Sequence, residues 1–224
     1  PAPEEVAYFT VGYHNPKKFF KDQKTLYESG LFDHLKGFVR KVGNQWNYFI
    51  EVGSYGQEDN RSARAELLKH LPCDLQKIPY WDFINQVTKF TEALKDKGAL
   101  NNPLPWYNVL VPEKAIQEHL ALALNSKFLT GTEPIIVYPM NSKHFKVPFF
   151  KRPEGTFYLL GVLYNTSFEG TPDYPKDAVL EHNKDLYKLA KEQGGYRYPV
   201  DATPFTPEDW IEHFGPQWDE FSRL

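Results

Sequence analysis

Residues 33–54 read DHLKGFVRKVGNQWNYFIEVGS. Two β-prone runs, 33–42 and 46–54, flank Gly43-Asn44, and the second alternates well along WNYFIEVGS. A turn dipeptide between two such runs predicts an antiparallel hairpin. Upstream, VAYFTVGY (6–13) reads as a further strand. Asn15-Pro16 then opens a helix, with Phe19, Phe20 and Leu26 on one apolar stripe. Downstream, residues 60–70 are helical. The order is β-α-β-β-α.

The remainder repeats that order. Cys73 to Tyr80, with Pro72 just before it and Pro79 within it, reads as a loop, and helix 82–97 stops at Gly98. Trp106–Val111 is a strand, and Pro112 is placed in the first turn of helix 113–125. Strands at 135–138 and 157–164 follow, then a helix over 173–193 stopped by Gly194-Gly195, a strand near 196–200 and a helix from Pro207. Two such passes predict an α+β fold: an antiparallel sheet with helices on one face, duplicated in ferredoxin-like fashion. No residue-level repeat accompanies this duplication, so it rests on element order alone.

The protein has 224 residues, enough for one large domain or at most two small ones, with roughly 70% of the unfolded surface buried. A net charge of -3 removes the usual electrostatic case for nucleic acid. No apolar run approaches the roughly 20 residues of a membrane span, and there is no signal-peptide pattern. A start at Pro1-Ala2-Pro3 without Met points to a polypeptide processed or cut from something longer. One cysteine, Cys73, excludes an internal disulfide framework and a cysteine-based zinc site.

Motifs for catalysis are missing. The seven histidines show no HxH or HxxxH spacing, so no metal site is expected. There is no G-x-S-x-G elbow, no G-x-G-x-x-G and no Walker loop. Cys73 follows Pro72 without a local motif and reads as inert. Carboxylates such as Glu92 and Asp96 sit beside lysines, as on a solvated helix face. From the residues alone, the protein is a domain rich in aromatics that could line an apolar pocket.

Three segments taken together carry a resemblance. They are LPWYNVLVP (104–112), PIIVYPMN (134–141) and WIEHFGPQW (210–218). Weaker echoes agree in order: Pro1-Ala2-Pro3, Asp22-Gln23, Phe32-Asp33 through Gly37-Phe38-Val39, and Thr156-Phe157-Tyr158. The set resembles the cytokinin dehydrogenases, flavoproteins of the vanillyl-alcohol-oxidase type. Members oxidise the C–N bond to the N6 substituent of N6-substituted adenines by hydride transfer to FAD.

The resemblance implies that residues 1–224 are the substrate-binding, or cap, domain of a longer FAD-dependent oxidoreductase. The FAD-binding domain, with its flavin-linking histidine and the aspartate that takes the substrate proton, would lie outside these residues. No catalytic residue is then expected here, and the domain alone would be inactive. Trp106 and Asn108 match the family's pocket Trp and Asn, while Val87, Pro134 and Leu163 fall where the family lines its slot with apolar groups. The plain alternative is that Trp106, Val87, Pro134 and Leu163 are ordinary core residues, a reading that suits Val87 and Leu163 better than the pocket does.

Two positions depart from the pattern. The family's F-D-Y-V-E-G is here Phe32-Asp33-His34-Leu35-Lys36-Gly37, which puts a cation where an acceptor faces the adenine. Phe90 replaces an acidic helix position. Lys36 either pairs with an acidic or aromatic substrate that is not a cytokinin, or points to solvent. The expected partners are a small-molecule substrate and the FAD domain of the same parent. A dimer through the exposed apolar face is a further expectation. The alternatives to an enzyme half are a stand-alone small-molecule binding module without flavin and an interaction domain with a vestigial pocket.

Overall fold

A computed structural model describes residues 2–55, 60–72, 75–101, 103–164 and 175–223. Its contacts divide the protein into two compact units. The first is Pro1–Asn101 with Ile136–Tyr138, and the second is Asn102–Ile135 with Pro139–Leu224.

The first unit is built from β1 (Glu5–Tyr13), α1 (Pro16–Ser29), β2 (His34–Val42), β3 (Gln45–Ser54), α2 (Arg61–Leu68), β4 (Gln76–Pro79), α3 (Tyr80–Ile84) and α4 (Gln86–Asp96). The strand order is β4-β1-β3-β2, followed by the middle of β6 (Ile135–Asn141). The β2–β3 hairpin turns on two residues, with Val42 opposite Gln45. Gly43 takes φ +60°, the left-handed value that the first position of such a loop demands and that glycine adopts without a Cβ clash.

Alternation then sorts the two faces. Phe9, Val11, Val39, Ile50 and Val52 are buried on one face, where α1 brings Phe19, Phe20 and Leu26. Asn15 starts that helix by accepting from the N–H groups of Lys17 and Lys18 at 2.9 and 3.3 Å. The opposite face carries Tyr8, Thr10, Lys36, Phe38, Phe49 and Glu51.

The second unit holds β5 (Tyr107–Pro112), α5 (Ile116–Leu124), the ends of β6, β7 (Thr156–Val162), α6 (Lys176–Glu192), β8 (Tyr196–Arg197), α7 (Pro207–Phe214) and α8 (Trp218–Phe221). The strand order is β6-β7-β5-β8. In each unit the first strand therefore pairs with the third, the second neighbours the third, and a short late strand pairs antiparallel with the first. This is the duplicated α+β architecture expected from element order.

Three local expectations are corrected. Residues 76–79 are not loop but the edge strand β4, which takes up the free edge of β1. Pro79 ends that strand, where its missing N–H breaks no long ladder. Helix 82–97 is two helices. Asn85 sits between them at φ -89°, ψ 4° and donates its amide to Trp81 O at 2.8 Å, a side-chain bond that competes with the helix. Pro112 does not open a helix. It continues β5 opposite Phe157, and the Glu113 N–H reaches Thr156 O, so α5 begins only at Ile116. Cys73 lies outside the described residues.

Candidate functional site

The open face of the first unit concentrates charge. Lys36 and Glu51 are cross-strand partners, and Lys36 Nζ lies 2.6 Å from Glu51 Oε1. His34 Nε2 is 3.1 Å from the same oxygen. The Glu51 side chain is only 8% exposed, against 27% for Lys36. Burial pushes the Glu51 carboxyl up, but hydrogen bonds from His34, Lys36 and Tyr8, and the charge of Lys36, outweigh it and hold the group at about 2. Burial raises the Tyr8 hydroxyl to about 12, with the Glu51 carboxylate adding to the shift.

Aromatic rings frame this cluster. Phe38 and Phe49 stack at 5.0 Å, with Lys36 and Arg40 over the Phe38 ring. At the other end, buried Phe83 from α3 stands edge-on to Tyr8 and His34. A flat apolar surface beside an ion pair can seat a planar molecule and read its polar edge.

Val87 and Phe90 are 71% and 49% exposed, which rules out the core reading for Val87. With Trp81 and Ile84 they form exposed apolar side chains three residues apart along α3 and α4. Lys36, by contrast, is tied to Glu51 rather than pointing freely to solvent.

The other four expected residues belong to the second unit. Trp106 immediately precedes β5 and Leu163 immediately follows β7, where Tyr107 opposes Val162. The Leu163 N–H donates to Pro134 O at 3.0 Å. Trp106, Pro134 and Leu163 thus meet at one strand end, half-buried. Asn108 is buried, and its Nδ2 already donates to Val200 O at 2.7 Å, clamping the segment after β8.

Sequence reasoning missed Glu51. Its signal was present: the alternation of 46–54 places it on the polar face, and the two-residue turn sets it opposite Lys36.

FAD would need a cradle of free backbone N–H groups for its pyrophosphate. The paired glycines at 194–195 do not supply one, because their N–H groups donate to Lys191 O and Ala190 O. Among the described residues, no group of three or more His, Cys, Asp or Glu that could hold a metal ion occurs. No helix among them is long and apolar enough to cross a membrane.

Comparison with known proteins follows the same lines. The family model described as "Cytokinin dehydrogenase 1, FAD and cytokinin binding" matches residues 44–224. An uncharacterized oxidoreductase in the fasciation locus of Rhodococcoides fascians is 29% identical over 99% of this chain and 52% of its own length. Cytokinin dehydrogenase 4 of Arabidopsis thaliana is 30% identical over 66% of this chain and 29% of its own length. The protein thus spans about half the length of the first relative and less of the second. Among solved structures, a BBE-like protein of Arabidopsis thaliana matches 99% of this chain and 53% of its own, with TM-score 0.59 and 17% identity, a likeness of fold.

Proposed function

The chain belongs to the cytokinin dehydrogenase family, and on that premise we propose that residues 1–224 form the substrate-binding (cap) domain of a longer FAD-dependent oxidoreductase. The observation that carries this reading is the family match over 44–224 together with coverage of about half of an oxidoreductase relative. In this reading the flavin is held by the other half. A stand-alone binding module is the less favoured reading, because the relatives are oxidoreductases.

The part of these residues is to bind and orient substrate, and no proton-transfer residue is assigned among them. In the first unit the Phe38–Phe49 stack supports an aromatic ring while Lys36, held by Glu51, reads its polar edge. In the second unit Trp106, Pro134 and Leu163 form a separate apolar group at one strand end, and Asn108 holds the segment after β8. Val87 and Phe90, with Trp81 and Ile84, form a surface that the flavin half or the substrate covers, in preference to a second copy of the protein.

The substrate follows from the charges. Lys36 and Arg40 flank Phe38, with Glu51 as the carboxylate paired to Lys36. That balance favours an acidic aromatic substrate over a neutral N6-substituted adenine. In the full-length protein carrying these residues, turnover of N6-isopentenyladenine would be compared with a panel of aromatic carboxylates, using an artificial electron acceptor. The K36E variant is expected to shift the ratio of kcat/KM values toward the adenine by about tenfold or more. An unchanged ratio would remove Lys36 from the site.

A further inference from the structure

A cavity of about 520 Å³ opens in the second unit, within the ordinary range for small-molecule sites of roughly 300–1,000 Å³. Its lining includes Lys114, Lys151 and Arg152 against a single carboxylate, Glu154. None of the three cations has a carboxylate partner among the described residues. Glu154 instead accepts from Ser142 Oγ at 3.0 Å. An excess of uncompensated positive charge in a hollow of a protein whose net charge is -3 calls for an anion.

The walls are fixed. Arg152 donates to the carbonyls of Phe150, Ser142 and Phe145 at 2.9, 3.3 and 2.7 Å, so its guanidinium cannot swing away. Its buried Nε–H finds no acceptor. Gln193 is held from behind: its Oε1 lies 3.0 Å from His119 Nδ1, and His119 Nε2 is 2.7 Å from the buried Tyr107 hydroxyl. That contact leaves the Gln193 amide nitrogen as the donor for the cavity. The carboxyl end of α6 also borders this space, but the carbonyls of Ala190 and Lys191 are capped by the N–H groups of Gly195 and Gly194. Pro148, Phe150 and Tyr196 provide apolar surface.

We propose that this cavity binds a small organic oxyanion, a carboxylate or phosphate carried on an apolar ring, with Lys114, Lys151, Arg152 and Gln193 around the oxygens and Phe150 and Tyr196 against the ring. The site shares no residue with the proposed substrate groups, so its fate is separate from theirs.

The test is calorimetric titration of the full-length protein with benzoate and with phenyl phosphate, repeated on the K114Q/K151Q double variant. Neither lysine is buried, so the double variant should keep its fold, which circular dichroism checks. Binding of either probe that weakens at least about tenfold in the variant supports the site. The tighter of the two probes identifies carboxylate or phosphate as the preferred group. No binding of either probe, or binding unchanged in the variant, overturns the proposal and leaves the lysines as solvated surface charges.

Discussion

Glu51 is an acid on the sheet face opposite α1, and its side chain is only 8% exposed and shared between Lys36 and His34. Its carboxyl sits at about 2 instead of its usual 4.5, so it contributes stability that is complete above pH 4.5 and lost as pH falls toward 2. His119 works in a different window. Burial lowers it from 6.5 to about 4, so keeping it neutral costs stability as pH falls from 6.5 to 4. Chemical denaturation across pH should therefore show two falling limbs. The E51Q variant is expected to lose roughly 1–3 kcal/mol at neutral pH, to flatten below pH 4.5 and to keep the limb above pH 4. A wild-type profile flat between pH 4.5 and 2 would contradict this account of Glu51. The Lys36–Glu51 pair was readable in advance, because a two-residue turn at Gly43-Asn44 leaves only one register. The direction of Phe83 was not readable, since it depends on where α3 packs.

At the scale of elements, the helix α1 and the hairpin meet at a glycine. A Cβ on Gly37 would strike the Gln23 amide nitrogen and come within 2.7 Å of both Phe19 Cζ and Val137 O. That amide is itself engaged, donating to Val137 O at 2.8 Å. Because one of the obstacles is backbone, the crowding cannot be relieved by a rotamer change. G37A is expected to cost roughly 1–3 kcal/mol, toward the upper end, with a lowered midpoint in urea. An unaltered midpoint would mean that β2 stands farther from α1 than described. Elements with long β-prone runs, such as 6–13 and 46–54, were legible because β-branched and aromatic residues alternate with others along them. The edge strand at 76–79 was not, because four residues ending in proline carry no periodic signal. The break at Asn85 and the late start of α5 turn on single bonds, Asn85 to Trp81 O and Glu113 to Thr156 O, that no periodicity encodes.

At the scale of the molecule, two units repeat one topology without repeating one sequence. What is common to them is the pairing scheme, in which the first strand lies beside the third and a short late strand closes against the first. Such a scheme is set by apolar alternation and right-handed connections, which many sequences satisfy. The function was less legible than the fold. No motif for catalysis stands in the sequence, and its kinship was carried by ordered segments such as 104–112, 134–141 and 210–218. That follows if the hydride chemistry belongs to a flavin held elsewhere and these residues supply walls, since walls of Trp, Pro and Leu look like core until they are seen at a strand end. The central claim is that these residues are one half of a flavin oxidoreductase. Its most direct test is the visible absorption spectrum of the purified full-length protein that contains them. Flavin bands at about one flavin per protein molecule are the expected result. A colourless protein that takes up no added FAD would contradict the claim.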